Sequence, residues 1–386
     1  MKKICFITTT RADFGTLNEL INKIQKTNLS LVQLIVSGSH LDKMYGSSKK
    51  EITSNKKYLT KYVKILSQNK NLKSVALSFS DCVKKFTSAL SQLKPELFVV
   101  YGDRYEILAA TISSYILRIP IVHIAGGEKT SGSIDDGFRH SISKFANLHF
   151  PTTKTYKKRL IQLGENPKSI FNFGSLNFEK IKNNNYLTKE ELKKKLKIKF
   201  NNRNLILTYH PDTVKINKSL NNLKIVLKSL KKIKNTTIII TSPNADAEGN
   251  LMINYIENFI KKNKLKNFYF FRSLGSQVYL SLLKIVNGVV GNSSSGVTEV
   301  PFFKIGTVNI GDRQEGRINF SSVINCKVSQ KAIIKSINKV FKKNFKEEIK
   351  REVRVFGNGQ SSSKITKKIL SFNFKKYNKK VFYDIL

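Results

Sequence analysis

MKKICFITTTRADFG (Met1–Gly15) opens with an apolar, β-branched run, Ile4–Thr8, and passes directly into a polar turn and the start of a helix. A strand that is apolar on both faces belongs in a parallel sheet covered by helices on either side. The same pattern recurs outward from this first unit. Leu31–Ser37, Leu97–Tyr101, Ile121–Ile124 and Ile170–Phe173 read as further strands in the first half. Leu205–Tyr209, Thr237–Thr241, Phe268–Phe271, Gly288–Val290 and Thr307–Ile310 read so in the second, with helix-length segments between them. The fold class expected is α/β, with two βαβ-built, Rossmann-like domains.

The first domain is expected over 1–175 and the second over 176–356. Near the boundary lies NNNYLTKEELKKKLK, too rich in Lys and Glu for a core, with the capping-box pattern Thr188-Lys-Glu-Glu191. Residues 357–386 read as a polar turn and a last, Lys-rich helical tail crossing back to the N-terminal domain. The chain's 386 residues, 40% of them hydrophobic, suffice for packed cores and exclude wholesale disorder. No apolar run approaches the ~20 residues that span a bilayer. Cys5, Cys82 and Cys326 are odd in number and far apart; they offer no disulfide framework and no metal-ligand spacing, which fits a reducing cytoplasm.

A formal charge of +43 suggests a nucleic-acid or anionic-membrane partner when taken alone. The lysines are dispersed along the chain, without basic stripes interleaved with aromatics, so neither partner is expected. Of the 69 Lys and Arg only 11 are Arg. Arg11, Arg104, Arg139, Arg272, Arg313 and Arg317 sit in motif-like segments beside Gly, Ser, Asp or His, where a planar, bidentate donor serves phosphate or carboxylate.

In open parallel sheets, ligands bind beyond the carboxyl ends of the strands, and the motifs fall there. Thr8-Thr-Thr-Arg-Ala-Asp-Phe-Gly15 offers backbone N–H groups at a helix start, with Arg11 as an anion donor. Ser37-Gly-Ser-His40 follows the second strand; His40 suits a ligand contact or a helix cap. Tyr101-Gly-Asp-Arg-Tyr-Glu106 places Asp103 and Arg104 at a strand end, Asp103 either in the site or capping a helix.

The densest segment is His123-Ile-Ala-Gly-Gly-Glu-Lys-Thr-Ser-Gly-Ser-Ile-Asp-Asp-Gly-Phe-Arg-His140. Glu128, Asp135 and Asp136 suit proton transfer. Arg139 and His140 follow Asp135 and Asp136 at i, i+4, so they can orient the carboxylates and, with Arg104, face a substrate. Neither His nor carboxylate spacing here is diagnostic of a metal. In the second half, His210 in Thr208-Tyr-His-Pro-Asp-Thr213 suits a phosphate or a leaving group, and Asn244 in Thr241-Ser-Pro-Asn-Ala-Asp-Ala-Glu248 a ligand or a cap. Gly291-Asn-Ser-Ser-Ser-Gly-Val-Thr-Glu-Val300 offers Ser293 and Ser294 at a helix start for a diphosphate, with Glu299 placed for vicinal ribose hydroxyls. Gly311-Asp-Arg-Gln-Glu-Gly-Arg317 adds Arg313 and Arg317.

Together, TTTRADFG, SGSHL, YGDR, HIAGGEKTSGSIDDGFRHSISK, YHPDT, SPNADAEG, GNSSSGVTEVP and NIGDRQEGR, in this order, resemble the UDP-N-acetylglucosamine 2-epimerase family. The GGE-x-T-x-G-x-IDD-x₃-RH segment resembles its hydrolysing branch, which feeds sialic and legionaminic acid synthesis. The resemblance implies a glycosyltransferase-B type fold with two domains facing a cleft that holds a UDP-sugar. It implies no metal, no redox cofactor and a homodimer. By motif match Arg11, His210, Asn244, Ser293, Ser294, Glu299 and Arg313 would contact UDP, His210 at the leaving diphosphate. Asp103 and a carboxylate among Glu128, Asp135 and Asp136 would be catalytic. The chain departs from the family at Ala125, where many members carry Glu; Glu128, Asp135 or Asp136 would then carry that role.

Overall fold

The computed structural model describes residues 1–41, 52, 58–65, 72–212, 218–243, 248–349, 353–375 and 379–385. The chain forms two compact units. One comprises Met1–Glu128, Asp135–Lys182 and Arg354–Leu386, the other Lys129–Ile134 and Asn183–Val353.

The first unit is built on a parallel six-stranded sheet of β1 (Lys2–Thr8), β2 (Ser30–Val36), β3 (Leu59–Tyr62), β4 (Leu97–Tyr101), β5 (Ile121–Ile124) and β6 (Leu148–Phe150), in the order β3-β2-β1-β4-β5-β6. Helix α1 (Arg11–Lys26) shows how the sequence makes these elements. Thr10 and Asp13 close a capping box at its start, and Leu17, Leu20, Ile21 and Ile24 recur at helical spacing and are buried. They share one core with Ile4, Phe6, Val32 and Leu34 of the sheet and with Ile365 and Ile369 of the C-terminal helix Ser361–Ser371. Burying each such side chain is worth about 1.5–3 kcal/mol. The C-terminal helix is further tied to this unit at its start, where Ser362 donates through its backbone N–H and its hydroxyl to Glu179, both at 2.6 Å. On the other face of the sheet α2 (Leu72–Leu93) and α3 (Tyr105–Ile116) cover Cys5, Ile7, Phe98 and Val100.

The second unit repeats the plan with β7 (Arg203–Thr208), β8 (Thr236–Thr241), β9 (Phe268–Phe271), β10 (Gly288–Gly291), β11 (Gly306–Ile310) and β12 (Val323–Cys326), in the order β12-β11-β10-β7-β8-β9, all parallel. In each sheet the chain reverses its direction of travel at one place, between β1 and β4 in the first unit and between β7 and β10 in the second. Diverging connections open a crevice at such a point, beyond the carboxyl ends of the strands. Both points fall where the motifs lie.

Four strands differ from the sequence reading. Ile170–Phe173 forms no strand; it touches the sheet edge only through a bridge of Ile170 to His149, while Phe171 and Phe173 stack on each other with ring centroids 5.9 Å apart. The edge is instead the three-residue β6, too short to show a period. The outer strands β3 and β12 were not foreseen, because their alternation of exposed and half-buried residues is interrupted by polar side chains.

Candidate active site

At the carboxyl ends of β4 and β5, one guanidinium organises the first unit. Arg139, on α4 (Asp135–Phe145), is 1% exposed despite its charge. It donates to Asp136 Oδ1 at 3.0 Å, to the Glu128 carbonyl at 3.2 Å, and through its other terminal nitrogen to Asp103 Oδ2. Asp103 holds it firmly protonated. A buried Arg persists only when paired in this way. Asp103 therefore serves an ion pair, and the N-cap position of α3 falls to Arg104, which makes no side-chain cap. Arg104 turns its guanidinium onto the buried Glu106, Nε at 3.1 Å and a terminal nitrogen at 3.3 Å. Arg139 pairs with Asp136 at i, i+3, and His140 Nε2 lies 3.6 Å from the other oxygen of Asp136, the i, i+4 neighbour expected of it. Burial, with Arg139 and Arg159 nearby, keeps the His140 imidazole below its ordinary pKa against the pull of Asp136. Glu128 and Asp135 are partly exposed.

Beneath these groups lies His123, which the sequence placed in the segment without a role. Its Nε2 is 2.9 Å from the Gly102 carbonyl and its Nδ1 is 3.0 Å from Ser143 Oγ. A carbonyl only accepts, so Nε2 carries the hydrogen. Burial pushes the pKa down to about 3, so the ring is neutral. His123 thus joins the loop bearing Asp103 to the helix bearing Arg139. The Gly126–Gly127 pair follows from packing: a Cβ on Gly126 would stand 2.8 Å from His123 Nδ1, and one on Gly127, at φ +79°, 2.4 Å from the Tyr156 carbonyl. Ala125 itself is left-handed, at φ +66°.

The first βα turn holds a different surprise. The N–H groups of Thr9 and Thr10 lie 2.9 and 3.0 Å from Asp13 Oδ2, and the Thr8 hydroxyl donates to Asp13 at 2.5 Å. The donors expected to cradle a phosphate are thus taken by the chain's own carboxylate, and Arg11 is partly exposed at the head of α1. His40 is fully buried with Nε2 2.9 Å from Thr8 Oγ1, so it supports this turn from behind. Burial alone would raise the Asp13 pKa; hydrogen bonds and charge from His40, with the Thr8 and Thr9 donors, bring it below the usual value.

In the second unit Asn292 is the organiser. Its amide oxygen accepts from the His210 backbone N–H at 2.7 Å and its amide nitrogen donates to the His210 carbonyl at 2.9 Å. Its own carbonyl accepts from Gln314 at 2.9 Å and Arg313 at 3.5 Å. The loops after β7, β10 and β11 are thereby fixed together, with His210 and Arg313 largely buried. Gly291, at φ +136°, lies so close to β7 that a Cβ would meet the Thr208 carbonyl at 1.9 Å. Ser293 and Ser294 precede a helix of only four residues, Ser295–Thr298, so its dipole is a small part of any anion attraction. Ser295 Oγ donates to Glu299 at 2.6 Å. Within this unit Ser131 N–H also donates to Glu315 O at 2.9 Å, and Gly132 leaves no room for a Cβ beside Asp312. Asn244 and Thr213 lie outside the described residues. Among the described residues no three His, Cys, Asp or Glu side chains group as metal ligands, and no helix is long and apolar enough to cross a membrane.

Comparison with known proteins agrees with this architecture. Residues 22–370 match the family model described as UDP-N-acetylglucosamine 2-epimerase. The chain is 42% identical over 328 residues, 85% of each chain, to the Campylobacter jejuni GDP/UDP-N,N'-diacetylbacillosamine 2-epimerase (hydrolyzing). It is 30% identical over 337 residues to the Legionella pneumophila UDP-N,N'-diacetylbacillosamine 2-epimerase (hydrolyzing), covering 86% of this chain and 87% of that one. Among solved structures, the UDP-GlcNAc 2-epimerase of Neisseria meningitidis bound to UDP-GlcNAc has the same fold, with a TM-score of 0.78 at 17% identity, over 96% of this chain and all of that one. The ordered motifs, the paired parallel sheets and these similarities together make the chain a member of the UDP-N-acetylglucosamine 2-epimerase family.

Proposed function

We propose that the protein is a hydrolysing UDP-sugar 2-epimerase, converting a UDP-2-acetamido sugar and water to UDP and the free 2-epimeric sugar. The observation that carries this reading is the meeting of Asp103 and Asp136 on the buried Arg139 at the carboxyl end of the sheet. The Campylobacter relative supports the hydrolysing outcome.

The chemistry follows from acidity. The C2–H of a sugar is too weak an acid to be lost first. When UDP leaves C1 with the bonding electron pair, the oxocarbenium-like centre acidifies C2–H. Arg313, His210, Ser293 and Ser294 stabilise the departing diphosphate, and Arg11 adds a positive charge. Asp103 or Glu128 removes the C2 proton, and the C–H pair becomes the C1–C2 double bond of a glycal. Water then adds to C1, positioned by Asp135 or Asp136, while C2 takes a proton on the opposite face. Paired carboxylates in unlike surroundings suit such a two-way proton transfer. Arg139 and His140 orient these carboxylates. Arg104, engaged by Glu106, supports the loop of Asp103, and Asn244 and Glu299 complete the nucleotide contacts.

The relatives favour a UDP-2,4-diacetamido-2,4,6-trideoxy sugar, and thus the legionaminic branch. A second reading, UDP-GlcNAc as substrate, is favoured by 29% identity over 333 residues to the Neisseria meningitidis UDP-N-acetylglucosamine 2-epimerase. The three free cysteines fit a cytoplasmic enzyme. Incubation with each UDP-sugar, followed by NMR, tests the proposal. Free 2-epimeric sugar appearing with UDP is the expected result; a 2-epimer still bound to UDP would assign the protein to non-hydrolysing epimerisation instead.

A further inference from the structure

We propose that Tyr279 and Ser295 are positioning residues that fix the Glu299 carboxylate against the nucleotide's sugar, and that this relay sets the preference for ribose over deoxyribose. The proposal rests on the reading of Glu299 as the group that accepts the vicinal ribose hydroxyls.

Three side chains form one line. Tyr279 OH lies 2.7 Å from Ser295 Oγ, and Ser295 Oγ lies 2.6 Å from Glu299 Oε2. The direction of both hydrogen bonds is determined. An ionised carboxylate only accepts, so the single hydroxyl hydrogen of Ser295 is given to Glu299. The Ser295 oxygen must then accept from the Tyr279 hydroxyl. Burial and the nearby Glu299 push the phenol's pKa up, so its hydrogen stays in place as the donor. Each bond polarises the next, and the chain holds one carboxylate oxygen while leaving the other as an acceptor.

The backbone beneath this line is equally constrained. Glu299 N–H donates to the Ser295 carbonyl at 2.9 Å, and Thr298 Oγ1 to the Ser294 carbonyl at 2.9 Å. The Thr307 hydroxyl, on β11, donates to the Gly296 carbonyl at 2.7 Å. A Cβ on Gly296 would stand 2.7 Å from Thr307 Cγ2, so the turn lies directly on the sheet. Tyr279, on the helix Gly275–Leu283, therefore supports Glu299 through Ser295, and β11 holds the turn between them at Gly296. Such a carboxylate loses little freedom on binding, and a nucleotide lacking a hydroxyl leaves it unsatisfied.

The test is the ratio of affinities for UDP and 2'-deoxy-UDP, measured calorimetrically on the full chain. Wild type should favour UDP by about tenfold or more, the worth of one hydrogen bond to a charged group. Glu299→Gln should bring the ratio close to one. Tyr279→Phe and Ser295→Ala should each reduce it by about three- to tenfold, weakening UDP more than 2'-deoxy-UDP. Ser295→Thr, which keeps the hydroxyl, should retain it. If Tyr279→Phe and Ser295→Ala keep the wild-type ratio, or weaken both ligands equally, the relay positions nothing and the proposal falls while the ribose reading stands. If Glu299→Gln itself keeps the ratio, or wild type shows no preference, the ribose reading falls and the relay with it.

Discussion

The two organising centres of this molecule are built from opposite materials. Around Arg139 in the first unit, charge holds charge: two carboxylates and a carbonyl surround one buried guanidinium, with a neutral imidazole below. Around Asn292 in the second, no carboxylate among the described residues takes part: its side-chain amide holds the His210 backbone, and the Gln314 amide and the Arg313 guanidinium donate to its carbonyl. The difference matches the work proposed for each. A group that must take and return a proton needs a carboxylate whose environment is charged and adjustable. A surface that must grip one nucleotide needs donors that do not change with the reaction. The contrast predicts that substitutions in the first centre abolish turnover and leave nucleotide affinity intact, and that those in the second do the reverse.

The largest expected effect is at Asp103. Asp103→Asn should lower kcat by about 10²–10⁴-fold, the range for losing a general base, with UDP affinity unchanged by calorimetry. A matching loss of UDP affinity would erase the distinction between the centres. Next is Arg139→Met, which leaves Asp103 and Asp136 without their shared partner. Urea unfolding should show a loss of about 3 kcal/mol, the low end for a broken buried pair, because both carboxylates are partly solvated. An unchanged midpoint would show that the cluster contributes nothing to folding.

In the second centre Arg313→Met should raise the UDP dissociation constant roughly tenfold, while kcat at saturation falls less than in Asp103→Asn. A kcat collapse at unchanged affinity would reverse the assignment. The smallest effect concerns acid. His123 and His149 are both held below the ordinary histidine pKa of 6.5, first of all by burial, and His123 reaches about 3. The unfolded chain therefore takes up protons that the native chain refuses. Stability is present above about pH 6.5 and declines as the pH falls below it, for His123 down towards 3, by up to ~1.4 kcal/mol per pH unit for each refused proton. His123→Gln should flatten that slope between pH 6.5 and 5 by about one proton's worth; an identical slope would show that His123 is not a refused site.

The parallel sheets were legible because their inner strands are apolar throughout and each is followed by a motif of different composition. The edges were not. β6 spans three residues, and β3 sets Thr60 and Lys61 side by side between Leu59 and Tyr62, so neither produces a period that exceeds noise. The site was legible as residue types and opaque as partners. Asp103 and Arg139 were each visible at a strand end or helix start, but their pairing spans 36 residues and depends on β4 and β5 lying side by side. Asp13 had no role in the sequence reading; only the folded turn shows it absorbing the N–H groups that Thr9 and Thr10 seemed to offer a phosphate. Asn292 carries no chemistry of its own, and nothing in Gly291-Asn-Ser announces that it joins three loops. Ser295 looked like one serine of three until Glu299 and Tyr279 were found on either side of it.

The claim most open to direct test is that a first-centre carboxylate exchanges the sugar's C2 proton with solvent. Turnover in deuterated water, read by NMR and mass spectrometry, should give free sugar carrying one deuterium at C2, and Asp103→Asn should lose this product while still binding UDP. Free 2-epimeric sugar from the wild-type protein with protium retained at C2 would mean that the C2–H bond never broke into solvent, and would contradict the account.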